Sequence, residues 1–106
     1  MTDDDRVFRA LADPARRFLL DLLLAGDGRT LTELAAELDM TRFGVAKHLW
    51  VLEAADLLVA HRVGRVKPHF LNPVPIRLIH DRWISRYAER GVSALAELKI
   101  ELEDKR

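Results

Sequence analysis

The chain contains no cysteine, which excludes disulfide frameworks, thiolate metal sites, catalytic thiols and thiol redox sensing. No apolar run approaches the roughly 20 residues that a membrane-spanning helix needs. The N-terminus, MTDDDR, is acidic and lacks the basic start and apolar core of a secretory signal, so the expected location is the cytoplasm. There is no glycine-rich phosphate loop, no HExxH and no pair of carboxylates in an apolar setting. Four histidines beside few serines leave no nucleophile–base pair of recognisable spacing. Neither an enzyme nor a cofactor is expected. Internal repeats and low-complexity stretches are also lacking.

Net charge is zero, with 17 basic and 17 acidic residues among 106; 49% of residues are hydrophobic and 32% charged. That is a globular mix, and the length suits one domain over residues 1–106. So short a chain buries only about 65% of its unfolded surface, so a second copy would help it. The balanced total hides an uneven distribution. Residues 1–40 carry nine acids and five bases, a net −4. Residues 41–70 carry two acids, Glu53 and Asp56, against Arg42, Lys47, Arg62, Arg65 and Lys67, a net +3, together with His48, His61 and His69. Residues 71–106 carry six acids and seven bases. The middle third is the place to seek a polyanionic partner.

Periodicity predicts a first helix over Asp5–Ala12, with Val7, Phe8 and Leu11 on one face. Asp13-Pro14 then caps a second helix, Pro14–Ala25, apolar nearly all round and expected at the centre of the core, with Gly26 ending it. Thr30-Leu31-Thr32-Glu33 reads as a capping box for a third helix, Leu31–Leu38, with Leu34, Ala35 and Leu38 inward. Thr41 caps a fourth, Arg42–Ala55, whose apolar stripe is Val45, Leu49 and Leu52. Leu57–Val63 and Val66–Asn72 form a hairpin about a two-residue Gly64-Arg65 turn. Pro68 in its second strand implies an edge position. After Asn72-Pro73-Val74-Pro75, a last helix is expected over Ile76–Glu103, with a kink or close crossing at Gly91.

Two short helices joined by a tight turn make a helix-turn-helix, and a basic hairpin directly after it makes the motif winged. The fold class expected is mainly α with a small β-hairpin, in the order α-α-α-α-β-β-α. Such a fourth helix fits the major groove of double-stranded DNA and offers its N-terminal side chains to base edges. Arg42, Phe43 and Lys47 are the base-edge candidates, with Thr41 as cap and phosphate contact. His48 either donates to phosphate or packs beneath the helix. Arg62, Arg65 and Lys67 on the hairpin reach backbone or minor groove. If the three histidines of the basic segment lie beside DNA, affinity should rise as pH falls through about 6.5; buried, they stay neutral.

VFRALADPARRFLLDLLLAG followed by LTELAAELDMTRFGVAKHLWVLEAADLLVAHRVGRVKPHFLNP resembles the ArsR (ArsR/SmtB) family of bacterial winged-helix transcriptional regulators, over about residues 6–73. The tail NPVPIRLIHDRWI resembles a non-metal subgroup. The resemblance implies a homodimer that represses transcription by covering a pseudo-palindromic operator, with first and last helices, residues 5–12 and 76–103, at the interface. Their apolar residues Val7, Phe8, Ile76, Ile79, Trp83, Tyr87 and Leu95 are the interface candidates. Two positions depart from the family: Trp50 stands where Arg or Lys is common, and Asp56 where Gly is common. Trp50 either packs against the hairpin or lies on the DNA side. Metal sensing in the family uses thiolates, absent here, or carboxylate and His pairs on the last helix. That helix offers only adjacent His80 and Asp81, which point about 100° apart and do not readily share an ion; no metal site is expected. Two alternatives stand: a metal-responsive sensor, and a winged-helix protein-interaction module with a vestigial DNA face. Any small-molecule or protein inducer is unknown.

Overall fold

Helix α1 is Asp3–Leu11, starting two residues earlier than periodicity alone suggests. The cause is a capping box at Thr2: its hydroxyl accepts from Asp5 N at 3.2 Å, and the Asp5 carboxylate accepts from Thr2 N at 3.3 Å. Hydrogen bonding from Thr2 holds the Asp5 carboxyl below its ordinary range. The computed structural model describes residues 2–104.

Helix α2 is Pro14–Ala25, with the Asp13 carboxylate accepting from Ala15 N at 2.8 Å and Arg16 N at 3.3 Å. It is less enclosed than expected. Leu19, Leu20 and Leu23 are buried, but Phe18 and Leu24 are exposed, because only the face turned to α1 and the later elements is covered. Gly26 closes it in extended rather than left-handed geometry, its N–H donating to Leu22 O.

Helix α3, Leu31–Ala35, keeps the Thr30–Glu33 capping box but ends before Leu38. Glu37 N donates to Leu34 O and Leu38 N to Ala35 O, so the backbone tightens into three-residue turns. Helix α4, Arg42–Ala54, starts at Thr41, whose hydroxyl accepts from Gly44 N at 3.0 Å. Val45, Leu49 and Leu52 are buried against α2 and α3 as their spacing predicts. At its end Leu57 N donates to Leu52 O and Asp56 N to Glu53 O, a Schellman closure with Asp56 at φ 59°.

The regular hairpin is shorter than its β-rich runs. Strand β1 is Leu58–Ala60 and β2 is His69–Leu71, antiparallel, with Val59 opposite Phe70. The ladder resumes at Val63 and Val66, which exchange both hydrogen bonds around Gly64-Arg65. Gly64 takes φ 62°, the position a II′ turn reserves for glycine. Pro68 lies just before β2 and accepts from His61 N through its carbonyl. Beyond it β2 is no edge: His69 also bridges to Arg29, giving N–H to its carbonyl at 2.8 Å.

The chain divides at Ile76–Arg77 into two compact units. The first has its core in Val7, Leu19, Leu23, Leu34, Val45, Leu52, Leu57 and Leu58. The C-terminal helical run begins at Val74 and departs from α geometry earlier than Gly91. Helix α5, Val74–Ile79, passes into a wide π turn over His80–Ile84, where Ser85 N donates to His80 O five residues back. Helix α6, Ser85–Asp104, then runs through Gly91 without interruption. Among the described residues no helix is long and apolar enough to cross a membrane.

Candidate nucleic-acid interface

The N-terminal half of α4 presents Arg42, Phe43 and Lys47 to solvent while Val45 and Leu49 anchor its other side in the core. Phe43 is 75% exposed, and Lys47 Nζ sits 5.9 Å from its ring centre, so a cation lies over an open aromatic face. Arg42 Nη2 donates to Thr32 Oγ1 at 2.8 Å, tying the start of α4 to α3. Gly44 packs close to Thr41 Oγ1 and Met40, where an added Cβ would meet the hydroxyl at 3.3 Å. The tight cap accounts for a small residue there.

Arg62, Arg65 and Lys67 are all exposed on the hairpin. They share with α3 and α4 an open groove of about 410 Å³ whose lining includes Thr30, Thr32, Arg42, Trp50 and Glu53. The sequence places these cations in one segment; the structure gathers Arg42 with Arg62, Arg65 and Lys67 around one groove. The outward stripe of α4 continues through Lys47 to Trp50, which is 71% exposed. The hairpin does not cover it.

The histidines separate. His69 is 4% exposed, its Nδ1 3.0 Å from Arg29 O, and it serves the sheet. His48 is half-buried with Nδ1 3.3 Å from Arg16 Nη1, on the α2 side of the helix, so it packs beneath α4. Only His61 of the three is exposed. Arg16 itself donates to Ala10 O at 2.8 Å and Arg9 O at 3.1 Å, closing the end of α1. Nearby, burial works against the charge of Asp13, but N–H donation from Arg16 and Ala15 and the charges of His48 and Arg16 outweigh it. Its carboxyl is held below the ordinary value.

Several groups that aim the hairpin are not evident from periodicity. The Asp27 carboxylate accepts from Leu71 N at 2.7 Å, Gly28 N donates to His69 O, and Asn72 Nδ2 donates to Asp56 O at 2.8 Å. Asp27-Gly28 and Asn72 read as turn residues in sequence, and their partners lie 44 and 16 positions away.

In the C-terminal unit, Trp83, Tyr87 and Leu95 are exposed, as is Phe8 on α1, whereas Val7 and Ile79 are already buried and have little surface to offer a partner. Ile76 is half-buried. The rings of Trp83 and Tyr87 lie 5.1 Å apart. His80 Nδ1 and Asp81 Oδ1 approach to 3.3 Å at the start of the π turn. Asp81 also accepts from Arg77 Nε at 3.0 Å; Arg77 first and His80 second hold its carboxyl below the ordinary range. Among the described residues no three His, Asp or Glu side chains gather in a cluster fit for a metal ion.

Residues 11–61 match a family described as a helix-turn-helix domain. The HTH-type transcriptional regulator YuzN of Bacillus subtilis is 37% identical over 76% of this chain and 94% of its own length. A solved ArsR family transcriptional regulator, RHA00566, superposes with a TM-score of 0.74 at 32% identity over 86% of this chain and 92% of its own. The chain belongs to the ArsR family of winged helix-turn-helix transcriptional regulators. It is a DNA-binding regulator. The transcriptional repressor SdpR of Bacillus subtilis is 30% identical over 82% of this chain and 94% of its own length. The homodimeric winged helix-turn-helix DNA-binding domain Mb0332 of Mycobacterium bovis has a TM-score of 0.65 at 26% identity, over 92% of this chain and 82% of its own.

Proposed function

We propose that this ArsR-family protein is a homodimeric repressor that inserts α4 into the major groove of a pseudo-palindromic operator and lays its hairpin on the adjoining backbone or minor groove. The observation that carries the reading is the convergence of exposed Arg42, Arg62, Arg65 and Lys67 on one groove beside Lys47, opposed there by Glu53 alone. Thr41, Arg42, Phe43 and Lys47 meet the groove floor and its phosphates. Arg62, Arg65 and Lys67 meet the backbone, while His48 stays beneath the helix.

Dimerisation follows from α6. Tyr87, Leu95, Leu98 and Leu102 recur at helical spacing and are all at least half exposed in the single chain. Burying such a stripe against its symmetry mate is the simplest way to remove it from water. That Mb0332 is homodimeric and SdpR a repressor supports both halves of the reading. Repression then needs no more than occupancy of DNA that polymerase must use, in the cytoplasm, with the chain's own promoter as the first candidate. A gel shift with DNA from upstream of its own gene tests this. Retardation that mixed-sequence competitor does not remove is the expected result; retardation abolished equally by any competitor contradicts operator recognition there.

A further inference from the structure

Trp50 stands three residues beyond Lys47 on the outer side of α4, 71% exposed, and forms part of one wall of the groove whose other wall carries Arg62, Arg65 and Lys67. With Arg42 the lining holds four cations against the single carboxylate of Glu53. A large apolar ring kept open to water among cations matches a ligand that alternates anionic and apolar surface. The DNA backbone does so, phosphate after deoxyribose. The placement follows from the fold as well: with α4 in the major groove and the hairpin reaching past its edge, the strand bordering that groove has to pass between them.

We propose that the groove between α4 and the hairpin seats the sugar–phosphate backbone of duplex DNA, with the Trp50 ring against a deoxyribose and Arg62, Arg65 and Lys67 on the flanking phosphates. This rests on the reading of α4 and the hairpin as the DNA face. Trp50 is here a positioning residue: it fixes register along the strand and carries no base information. Glu53 repels phosphate from its side of the groove and keeps the strand toward the hairpin cations.

The test uses protein labelled with 5-fluorotryptophan. The chain has two tryptophans, Trp50 and Trp83, so two fluorine resonances are expected, and Trp50→Phe assigns them. A mixed-sequence duplex of about 30 base pairs is titrated in at about 50 mM salt, where sequence-independent binding is strong. Anisotropy of the labelled duplex reports the bound fraction. The Trp50 resonance is expected to shift and lose its solvent isotope effect in step with binding. Trp50→Ala is expected to weaken binding by about five-fold, on cognate and mixed duplexes alike, because contact area is lost. The salt slope stays unchanged, because an indole neutralises no phosphate. Trp50→Phe, which keeps a ring, retains most of the affinity. A duplex that binds while the Trp50 resonance and the affinity of both variants stay unchanged overturns the proposal. A duplex that does not bind at all strikes the DNA face itself, and the proposal with it.

Discussion

Asp56 holds a backbone geometry that favours glycine, at φ 59°, and it does so at a helix C-terminus where its negative charge opposes the dipole. Its carbonyl accepts from Asn72, and the Schellman bonds around it set the angle at which the chain leaves α4 for the hairpin. Asp56→Gly should therefore raise stability by about 1 kcal/mol, read from the urea midpoint at fixed protein concentration; an unchanged or lower midpoint counts against strain at this site. Asp13 gives a pH prediction. Its folded carboxyl lies below the ordinary value of 3.8, so the unfolded chain binds more protons on the acid side. The stability this adds is full above 3.8 and disappears as pH falls through the folded value. Asp13→Asn keeps a capping group without the titration, so any advantage of the parent over it should shrink as pH falls below 3.8. A gap constant with pH contradicts the assignment. At this scale the sequence reveals caps well, since Asp13, Thr30 and Thr41 act through neighbours two or three residues away. It does not reveal the histidines: what holds His48 and His69 is Arg16 and Arg29, 32 and 40 positions distant.

In the proposed complex, α4 reads base edges and the hairpin holds the backbone. Lys47 projects from the helix and Arg65 from the hairpin tip, and the two substitutions should behave differently. Arg65→Ala should weaken cognate and mixed-sequence binding about equally and flatten the salt slope by roughly one unit per lost phosphate contact. Lys47→Ala should cost ~1–3 kcal/mol chiefly on the cognate site. Equal losses on cognate and mixed duplexes for Lys47→Ala would displace α4 from the base edges. Helix order, the α4 core stripe and the Gly64-Arg65 turn were all legible in the sequence, because period and turn chemistry are local. The ends of the β-rich runs were not: between Ala60 and His69 the two runs pair at the Val63–Val66 bridge and through His61 N to Pro68 O, without a continuous ladder. The π turn was equally hidden, since nothing in HDRWI marks one backbone amide reaching five residues back. The glycine that drew attention, Gly91, has open space where a Cβ would stand and does not interrupt α6.

In the whole molecule, α6 carries an apolar stripe that a single chain leaves uncovered, and each chain offers one α4 as the proposed recognition helix. Two-fold assembly would place two α4 helices in successive major grooves on one side of the duplex, so the DNA site must share the symmetry of the protein. Family membership establishes DNA binding; the symmetry and the face used are proposals. Their most direct test is selection of bound duplexes from a random library, followed by sequencing. The expected result is enrichment of an inverted repeat whose half-sites lie about 10–10.5 base pairs apart, centre to centre, or a multiple of that. In the same selection Lys47→Ala should lose the consensus. Enrichment of a lone half-site without symmetry, or no enrichment under conditions where the protein retains the library, would contradict them.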